Sequence, residues 1–492
     1  MNVDLALVSH TNAGKTTLAR TLLGRDVGEV RDAAHVTELA ERHVLLALDD
    51  GSQLRLWDTP GFGDSTRLLA RLRLADNPIG WLLREAWDRW RDRPFWCSQQ
   101  AVRAARESAD VVLYLVNAAE DPSEAGYLAA ELQVLRWVGR PVIVLLNQVG
   151  PPRAGELERA ELERWRRHLA AEGGVADVLA LDAFARCWVH ESVLLEAVQR
   201  VLPADRAATC ARLSQAWVAR SVARFEAAMD LLAAQLAAAA LDREAVVATQ
   251  PSPLRRLWRS VRDGAEDPAE RAAMATLAAR LDAQIVASTD ALIALHGLEG
   301  GASAVVLERL RSSFGAPERL AEGRAAAWGG VLTGALTGLK ADLATGGLTF
   351  GAGLLLGGLL GGLAGAGVAR GFNRLSGADT PAVWWSDEAL DGLVRSAVLR
   401  YLAVAHFGRG RGRWVEGEAP AAWQEEVTAA VGRERAVLQL AWQRARGEGA
   451  TAGAAASSQG ASPQAELRTA LGRATAAVLE RLYPGKLPPG LA

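Results

Sequence analysis

The sequence predicts an α/β domain with a mostly parallel sheet and helices on both faces, followed by a mostly α-helical region, on three observations. Over the first 203 residues, short apolar runs of strand length alternate with helical stretches. A polar, Gly-containing loop joins the first such run to the first helical one. Beyond Pro203 the strand patterns vanish and Ala/Leu/Arg-rich helical periodicity takes over.

Each element follows in order. Residues 3–8 read as a short buried strand and 17–24 as a helix. The runs 43–48 and 53–57 flank Asp49-Asp50-Gly51-Ser52, a good turn sequence, and so form a hairpin. Further strands are expected at 111–117, 141–147 and 178–181, with helices near 123–138, 155–171 and 190–201. The segment 68–108 is longer than the one helix such a domain needs there. It carries Trp81, Trp87, Trp90 and Trp96 and reads as a helical insertion. The charge-dense stretch 155–170 reads as a solvated helix face with i,i+4 pairs. Helical patterns continue at 206–245, 266–296, 303–326, 386–404 and 420–446. The domain plan is therefore 1–203 with its insertion, a helical domain 204–446, a low-complexity linker 447–464, and a last helix and tail in 465–492.

Composition excludes several classes. A chain of 492 residues exceeds one hydrophobic core, so two or three domains are expected. The net charge of −2 offers no global basic field, which counts against a nucleic-acid partner. Cys97, Cys187 and Cys210 form no CxxC or Cys/His cluster, which points away from disulfides and zinc and toward a reducing cytosol. The N-terminus runs straight into a strand pattern without a leader-like segment, so secretion is not expected. Only Lys15, Lys340 and Lys486 are lysines among 55 basic residues, so each lysine calls for a reason.

Lys15 has one. Ser9-His10-Thr11-Asn12-Ala13-Gly14-Lys15-Thr16 matches the phosphate-binding pattern GxxxxGK[ST] at every fixed position except the first, where Ser9 replaces glycine. Backbone N–H groups of such a loop curl around phosphate oxygens, and the following helix, starting near Thr17, adds its positive end. Lys15 would reach the β- and γ-phosphates and the Thr16 hydroxyl would ligate Mg2+. Asp58-Thr59-Pro60-Gly61 follows about 40 residues later at a strand end. There Asp58 can hold Mg2+ through water and the Gly61 N–H can meet a γ-phosphate. Thr37, in the polar loop between, can complete the Mg2+ shell by analogy with nucleotide switches. His10 either faces phosphate or fills space.

On Asn12-Ala13-Gly14-Lys15-Thr16, Thr37 and Asp58-Thr59-Pro60-Gly61 followed by Phe62, residues 1–203 resemble a small GTPase of the bacterial Era/TrmE-like group, within the translation-factor-related GTPases. The resemblance implies GTP and GDP as ligands and hydrolysis involving Lys15, Thr37 and Gly61. It implies nucleotide contacts from Ser9, Asn12, Ala13, Gly14, Lys15, Thr16, Thr17 and Asn147, and Mg2+ held by Thr16, Thr37 and Asp58. Asn12 matches the asparagine that goes with K+-stimulated hydrolysis in some members. Phe62 stands where Ras-like proteins keep a catalytic glutamine, so no side chain there orients water. The base-reading NKxD motif appears only as Asn147-Gln148-Val149-Gly150. Loss of its aspartate should cost about 2–4 kcal/mol of guanine preference. Asp182 could replace that carboxylate or simply cap a strand end.

Residues 343–369 carry no charge and, at about 1.5 Å per residue, could cross a hydrocarbon core of about 30 Å. Glycines at i+4 intervals (Gly353, Gly357, Gly361, Gly365) allow close helix contact. A helical hairpin of 328–344 and 348–369, inserted in a bilayer or buried as a core, fits this pattern. Trp384-Trp385 reads as an interfacial anchor or as core. In outline the chain is similar to bacterial dynamin-like proteins. The expectation is an Mg2+-dependent switch hydrolase, cytoplasmic or attached to the inner face of the cell membrane, whose nucleotide controls a membrane-binding, partner-binding or self-associating helical region. The rivals are a scaffold with negligible turnover and a ribosome- or RNA-acting GTPase.

Overall fold

The computed structural model describes residues 1–11, 13–24, 40–74, 92–148, 155–181, 187–246, 268–298, 372–374, 381–406, 421–446, 462–488 and 490–491. The expected hairpin 328–369, helix 303–326, linker 447–464 and most of the tryptophan-bearing part of the insertion lie outside them. Among the described residues no helix is long and apolar enough to cross a membrane.

The N-terminal part is an α/β domain with a six-stranded sheet. In chain order it contains β1 (Asn2–Ser9), α1 (Lys15–Leu23), β2 (Glu41–Ala47), β3 (Gln53–Asp58), α2 (Ser65–Leu74), α3 (Arg93–Glu107), β4 (Val111–Asn117), α4 (Leu128–Val138), β5 (Val142–Asn147), α5 (Gly155–Glu172), β6 (Asp177–Ala180) and α6 (Trp188–Val201). The sheet order is β2-β3-β1-β4-β5-β6; only β2 runs antiparallel to its neighbour. Strand alternation divides the apolar side chains between two faces. Val3, Leu5 and Leu7 of β1 join Leu113, Leu145 and α1 on one face, while Ala6 and Val8 join Tyr114, Val144 and α4 on the other. Because β1 is flanked by β3 and β4, the connection after β1 opens at a topological switch point, where α/β sheets bind ligands.

The expected helix near 123–138 starts later, at Leu128. Residues 121–126 form turns instead, in which the Asp121 carboxylate accepts from the Ser123 N–H and hydroxyl. Side-chain acceptors of this kind compete with helix formation. Trp165 and Leu169 of the charge-dense helix α5 are buried and Leu162 packs beside them, so one side of that helix faces the core. Arg164 pairs with Glu161 and Arg166 with Glu163, both at i,i+3 spacing. All three cysteines are buried, and none is in a disulfide.

The second part is helical but not purely so. α7 (Ala204–Leu241) is followed by β7 (Arg243–Ala245), α8 (Pro268–Leu295), β8 (Phe372–Arg374), β9 (Ala382–Trp385), α9 (Asp387–Ala405), α10 (Ala421–Arg433), α11 (Arg435–Arg446) and α12 (Pro463–Leu482). The expected loss of strands after Pro203 is corrected by the small antiparallel sheet β7-β9-β8. Such three-residue strands are too short for an alternating pattern to be read from sequence. Trp384 and Trp385 lie in its central strand and are buried, which settles them as core. The helical pattern expected at 420–446 forms two helices, α10 and α11, separated at Glu434.

α7 spans both parts. Its 38 residues extend about 57 Å at the α-helical rise. Cys210, Leu213 and Trp217 complete one face of the large sheet's core, whereas Phe225, Leu232 and Leu236 belong to the helical core with α8, α9 and α12. One uninterrupted helix therefore connects the two cores, and the Trp188 indole donating to the Tyr401 hydroxyl at 3.1 Å adds a second tie.

Asp282 on α8 is 7% exposed, and its Oδ1 has no hydrogen-bond partner. Burial pushes its carboxyl up to about 7. The native state thus holds this proton more tightly than the unfolded chain, and stability from this group is lost as pH rises from about 4 through 7. Asp282→Asn is expected to match the native protein at pH 4 and exceed it by about 1–3 kcal/mol at pH 8. Urea unfolding at the two pH values checks this, and a stability difference that does not change with pH would overturn it.

Candidate functional site

The site lies at the carboxyl end of β1. Gly14, with φ +92°, occupies the left-handed region directly before α1, a conformation that favours glycine. A Cβ there would also come within 2.7 Å of Asn147 Nδ2, so glycine is required on two counts. Asn147 ends β5 fully buried and donates from Nδ2 to the Ala13 carbonyl at 2.8 Å. This bond braces the phosphate loop against the sheet. Gln148, just beyond it, has a left-handed φ of +58°.

Lys15 is 8% exposed, and its Nζ donates to Ser9 Oγ at 2.9 Å. The replacement of glycine by Ser9 thus supplies the hydroxyl that holds the lysine. The Ser9 hydroxyl in turn bonds to the His10 carbonyl. Burial lowers the Lys15 ammonium to about 8, against the opposing pull of Asp58 and Glu131. An ammonium kept out of water in this way has much to gain from an arriving phosphate.

Thr16 Oγ1 donates to Asp58 Oδ2 at 2.7 Å. Asp58 is 2% exposed and its Oδ1 has no hydrogen-bond partner. Burial raises its carboxyl, while the Thr16 hydroxyl and Lys15 pull it back. A buried carboxylate oxygen without a partner beside a hydroxyl fits a small divalent cation such as Mg2+, which takes one or two carboxylates and oxygen donors. Thr17 is buried in the first turn of α1.

The segment after β3 is stitched onto the phosphate loop. Phe62 N–H donates to the Ser9 carbonyl at 2.9 Å, and the Thr11 N–H and hydroxyl donate to the Phe62 carbonyl at 3.3 and 2.9 Å. The Thr59 hydroxyl donates to the Leu7 carbonyl at 2.5 Å. A Cβ on Gly61 would lie 3.0 Å from Thr11 Cα and 3.1 Å from Lys15 Nζ, so Gly61 faces the lysine at close range.

Ser9, Ala13, Gly14, Lys15, Thr16, Asp58, Gly61 and Asn147 are therefore brought together beyond the carboxyl ends of β1, β3 and β5, with Thr17 buried in the adjoining turn of α1. Asn12, Thr37, Gly150 and Asp182 lie outside the described residues. His10 Nδ1 lies 2.7 Å from Glu131 Oε1, and its ring stacks on Tyr127. Glu131 and Tyr114 were not anticipated from sequence. One sits in the first turn of α4 and the other in an apolar strand run, and nothing in their spacing marks them.

Known proteins bear on this geometry. A family model described as 50S ribosome-binding GTPase matches residues 4–148, and one described as Domain of unknown function (DUF3482) matches 168–472. The chain is 28% identical over 184 residues to GTPase Der of Myxococcus xanthus, covering 36% of this chain and 31% of that protein. It is 29% identical over 201 residues to GTPase Der of Deinococcus deserti, covering 41% and 36%. The chain thus spans about a third of the length of these relatives. Among solved structures, Era of Aquifex aeolicus bound to GDP.AlF4- is 18% identical with a TM-score of 0.29, covering 41% of this chain and 57% of that one. Era with MgGDPNP and nucleotides 1506–1542 of 16S ribosomal RNA is 17% identical with a TM-score of 0.30, over the same shares. The N-terminal part is a P-loop GTPase domain. With more than half of its length matched by the second model, the chain as a whole belongs to the family described as Domain of unknown function (DUF3482).

Proposed function

We propose that the protein is an Mg2+-dependent GTP hydrolase of switch type, with Lys15, Gly61 and Thr37 acting on the γ-phosphate. In this reading Thr16, Asp58 and Thr37 hold the metal, and Ser9, Asn12, Ala13, Gly14, Thr17 and Asn147 complete the nucleotide site. The observation that carries it is the Thr16–Asp58 pair with its partnerless buried oxygen, set beside a desolvated Lys15. The metal would neutralise charge developing on the phosphates. The chain's own residues bind the phosphates, keep water from the lysine and orient the hydroxyl.

Single-turnover hydrolysis of labelled GTP tests this reading. Turnover is expected with Mg2+ and not with EDTA, and Asp58→Ala should remove it. Binding without any turnover would support the scaffold rival. In the same protein, competition among GTP, ATP and XTP should show a guanine preference below about a thousandfold, because position 150 carries glycine. A larger preference would assign the missing carboxylate elsewhere, for instance to Asp182. Asn12 supports K+ stimulation, and equal rates in KCl and NaCl at one ionic strength would remove that reading.

The proposed domain plan is the one set out above, with the nucleotide state passed along α7 into the helical part. Its proposed effector is the Gly-rich tract 328–369, uncharged from 343 onward, which contacts a bilayer at the inner face of the cell membrane. The full chain loaded with a GTP analogue is expected to sediment with liposomes more than the GDP form does. Equal recovery in the supernatant would end this part. A second reading is favoured by one finding, the ribosome-binding description of the family model over 4–148. Nucleotide-dependent co-sedimentation with 50S subunits would replace the membrane reading with it, and the net charge of −2 argues the other way.

A further inference from the structure

Ser9, the first residue of the phosphate loop, stands where the general pattern has glycine. It closes β1 and is fully buried. Its hydroxyl bonds to the His10 carbonyl, which has no proton to give, so Ser9 is the donor in that bond. The lone pairs of Ser9 Oγ are then left to accept, and Lys15 Nζ donates to them at 2.9 Å. Among the described residues this is the one hydrogen bond of the ammonium, and no carboxylate pairs with it.

An ammonium has three N–H donors. With one directed at Ser9, the tetrahedral geometry points the other two away from Oγ. Gly61 is a close neighbour of the same nitrogen, since a Cβ there would lie 3.1 Å from Nζ. The Ser9 carbonyl also accepts from the Phe62 N–H at 2.9 Å. One residue thus holds the lysine by its side chain and the segment after Gly61 by its main chain. Glycine at this position would offer the lysine no side-chain acceptor. A long side chain would then keep its rotamer freedom until a phosphate fixed it, and that ordering would oppose binding.

We propose that Ser9 is a positioning residue for Lys15, whose hydroxyl fixes the ammonium in the empty site so that two N–H donors remain for the phosphate oxygens of a nucleoside triphosphate. This rests on the reading of the site as a GTP site. The Ser9 bond is kept when the ligand arrives, because the three donors of the ammonium serve Ser9 and the phosphates at once. Serine here is more than a tolerated replacement. Ser9→Gly, which restores the general motif, weakens triphosphate binding instead of improving it.

The experiment is a double-mutant cycle on the full chain, read as affinity for a labelled non-hydrolysable GTP analogue with Mg2+, so that turnover does not enter. Ser9→Ala and Ser9→Gly are each expected to bind roughly tenfold more weakly than wild type, the effect of one long side chain left to be ordered on binding. In a Lys15→Ala background the same substitutions should change affinity by less than about twofold, because the group that Ser9 holds is gone. A general effect on the loop would weaken both backgrounds alike. Equal losses with and without Lys15 therefore overturn the proposal, as does Ser9→Gly binding as tightly as wild type or more tightly. Urea unfolding of each variant accompanies the titrations, and if Ser9→Ala does not fold, Ser9→Gly decides. Wild-type protein that does not bind the analogue overturns the nucleotide reading itself. Affinity that falls in Lys15→Ala but not in Ser9→Ala overturns only the positioning role.

Discussion

Lys15→Ala is expected to lower triphosphate affinity by at least a hundredfold while leaving the nucleotide-free protein as stable as before or more so. The two halves have one cause. Lys15 is buried, and its ammonium is lowered to about 8, so the empty site already carries a desolvated charge. Phosphate oxygens remove that strain, and a lost buried charge-assisted contact is worth about 3 kcal/mol or more, or a hundredfold in affinity. The native lysine holds its proton less tightly than the unfolded one. Stability of the empty protein should therefore rise between about pH 8 and 10.5, by about 1–3 kcal/mol, and Lys15→Ala should flatten that rise. Calorimetric titration with GTP and urea unfolding without it measure both halves. Unchanged affinity in the variant would remove the phosphate role of Lys15.

Arg400→Ala is expected to destabilise the helical part by about 3–5 kcal/mol, while Arg400→Met should cost about 1 kcal/mol or less. Arg400 on α9 is 2% exposed, and no carboxylate pairs with it among the described residues. Its guanidinium donates to Ser288 Oγ at 2.7 Å, Thr289 Oγ1 at 3.0 Å, the Ile285 carbonyl at 3.3 Å and Gln235 Oε1 at 2.7 Å, which joins α9 to α8 and α7. Its Nε has no partner, and burial lowers the group to about 10. Alanine leaves a cavity and strands the Gln235 amide. Methionine fills the volume and no longer requires a charge to be kept from water. Denaturant unfolding followed by tryptophan fluorescence separates the two. Equal losses in both variants would mean that the hydrogen bonds, rather than volume, hold the helices together.

Much of the α/β part was legible because its signals are local. Strand runs buried on both faces, a turn at Asp49–Ser52, and GxxxxGK[ST] with Asp58-Thr59-Pro60-Gly61 at strand ends are each written within a few residues. The helical part was less legible. Its Ala/Leu periodicity marks helices well but does not show where α10 gives way to α11, nor three-residue strands such as β7 that form only by pairing with β9. Trp384 and Trp385 allowed two readings until that pairing placed them in core.

By itself the sequence determined the fold class, the phosphate loop and the departure from NKxD, and it marked Thr16 and Asp58 as candidate metal ligands, since all rest on residue type and short spacing. Tertiary structure alone decided what lies across long separations. Asn147 reaches Ala13 over 134 residues, Glu131 reaches His10 over 121, and Arg400 reaches Ser288 over 112. No periodicity records such pairs. They come together because parallel strands bring distant loops to one sheet edge, and because burying apolar faces fixes which helix meets which. The same physics places Ser9 against Lys15, so that a residue read as a departure from the motif becomes the hydroxyl that holds the lysine.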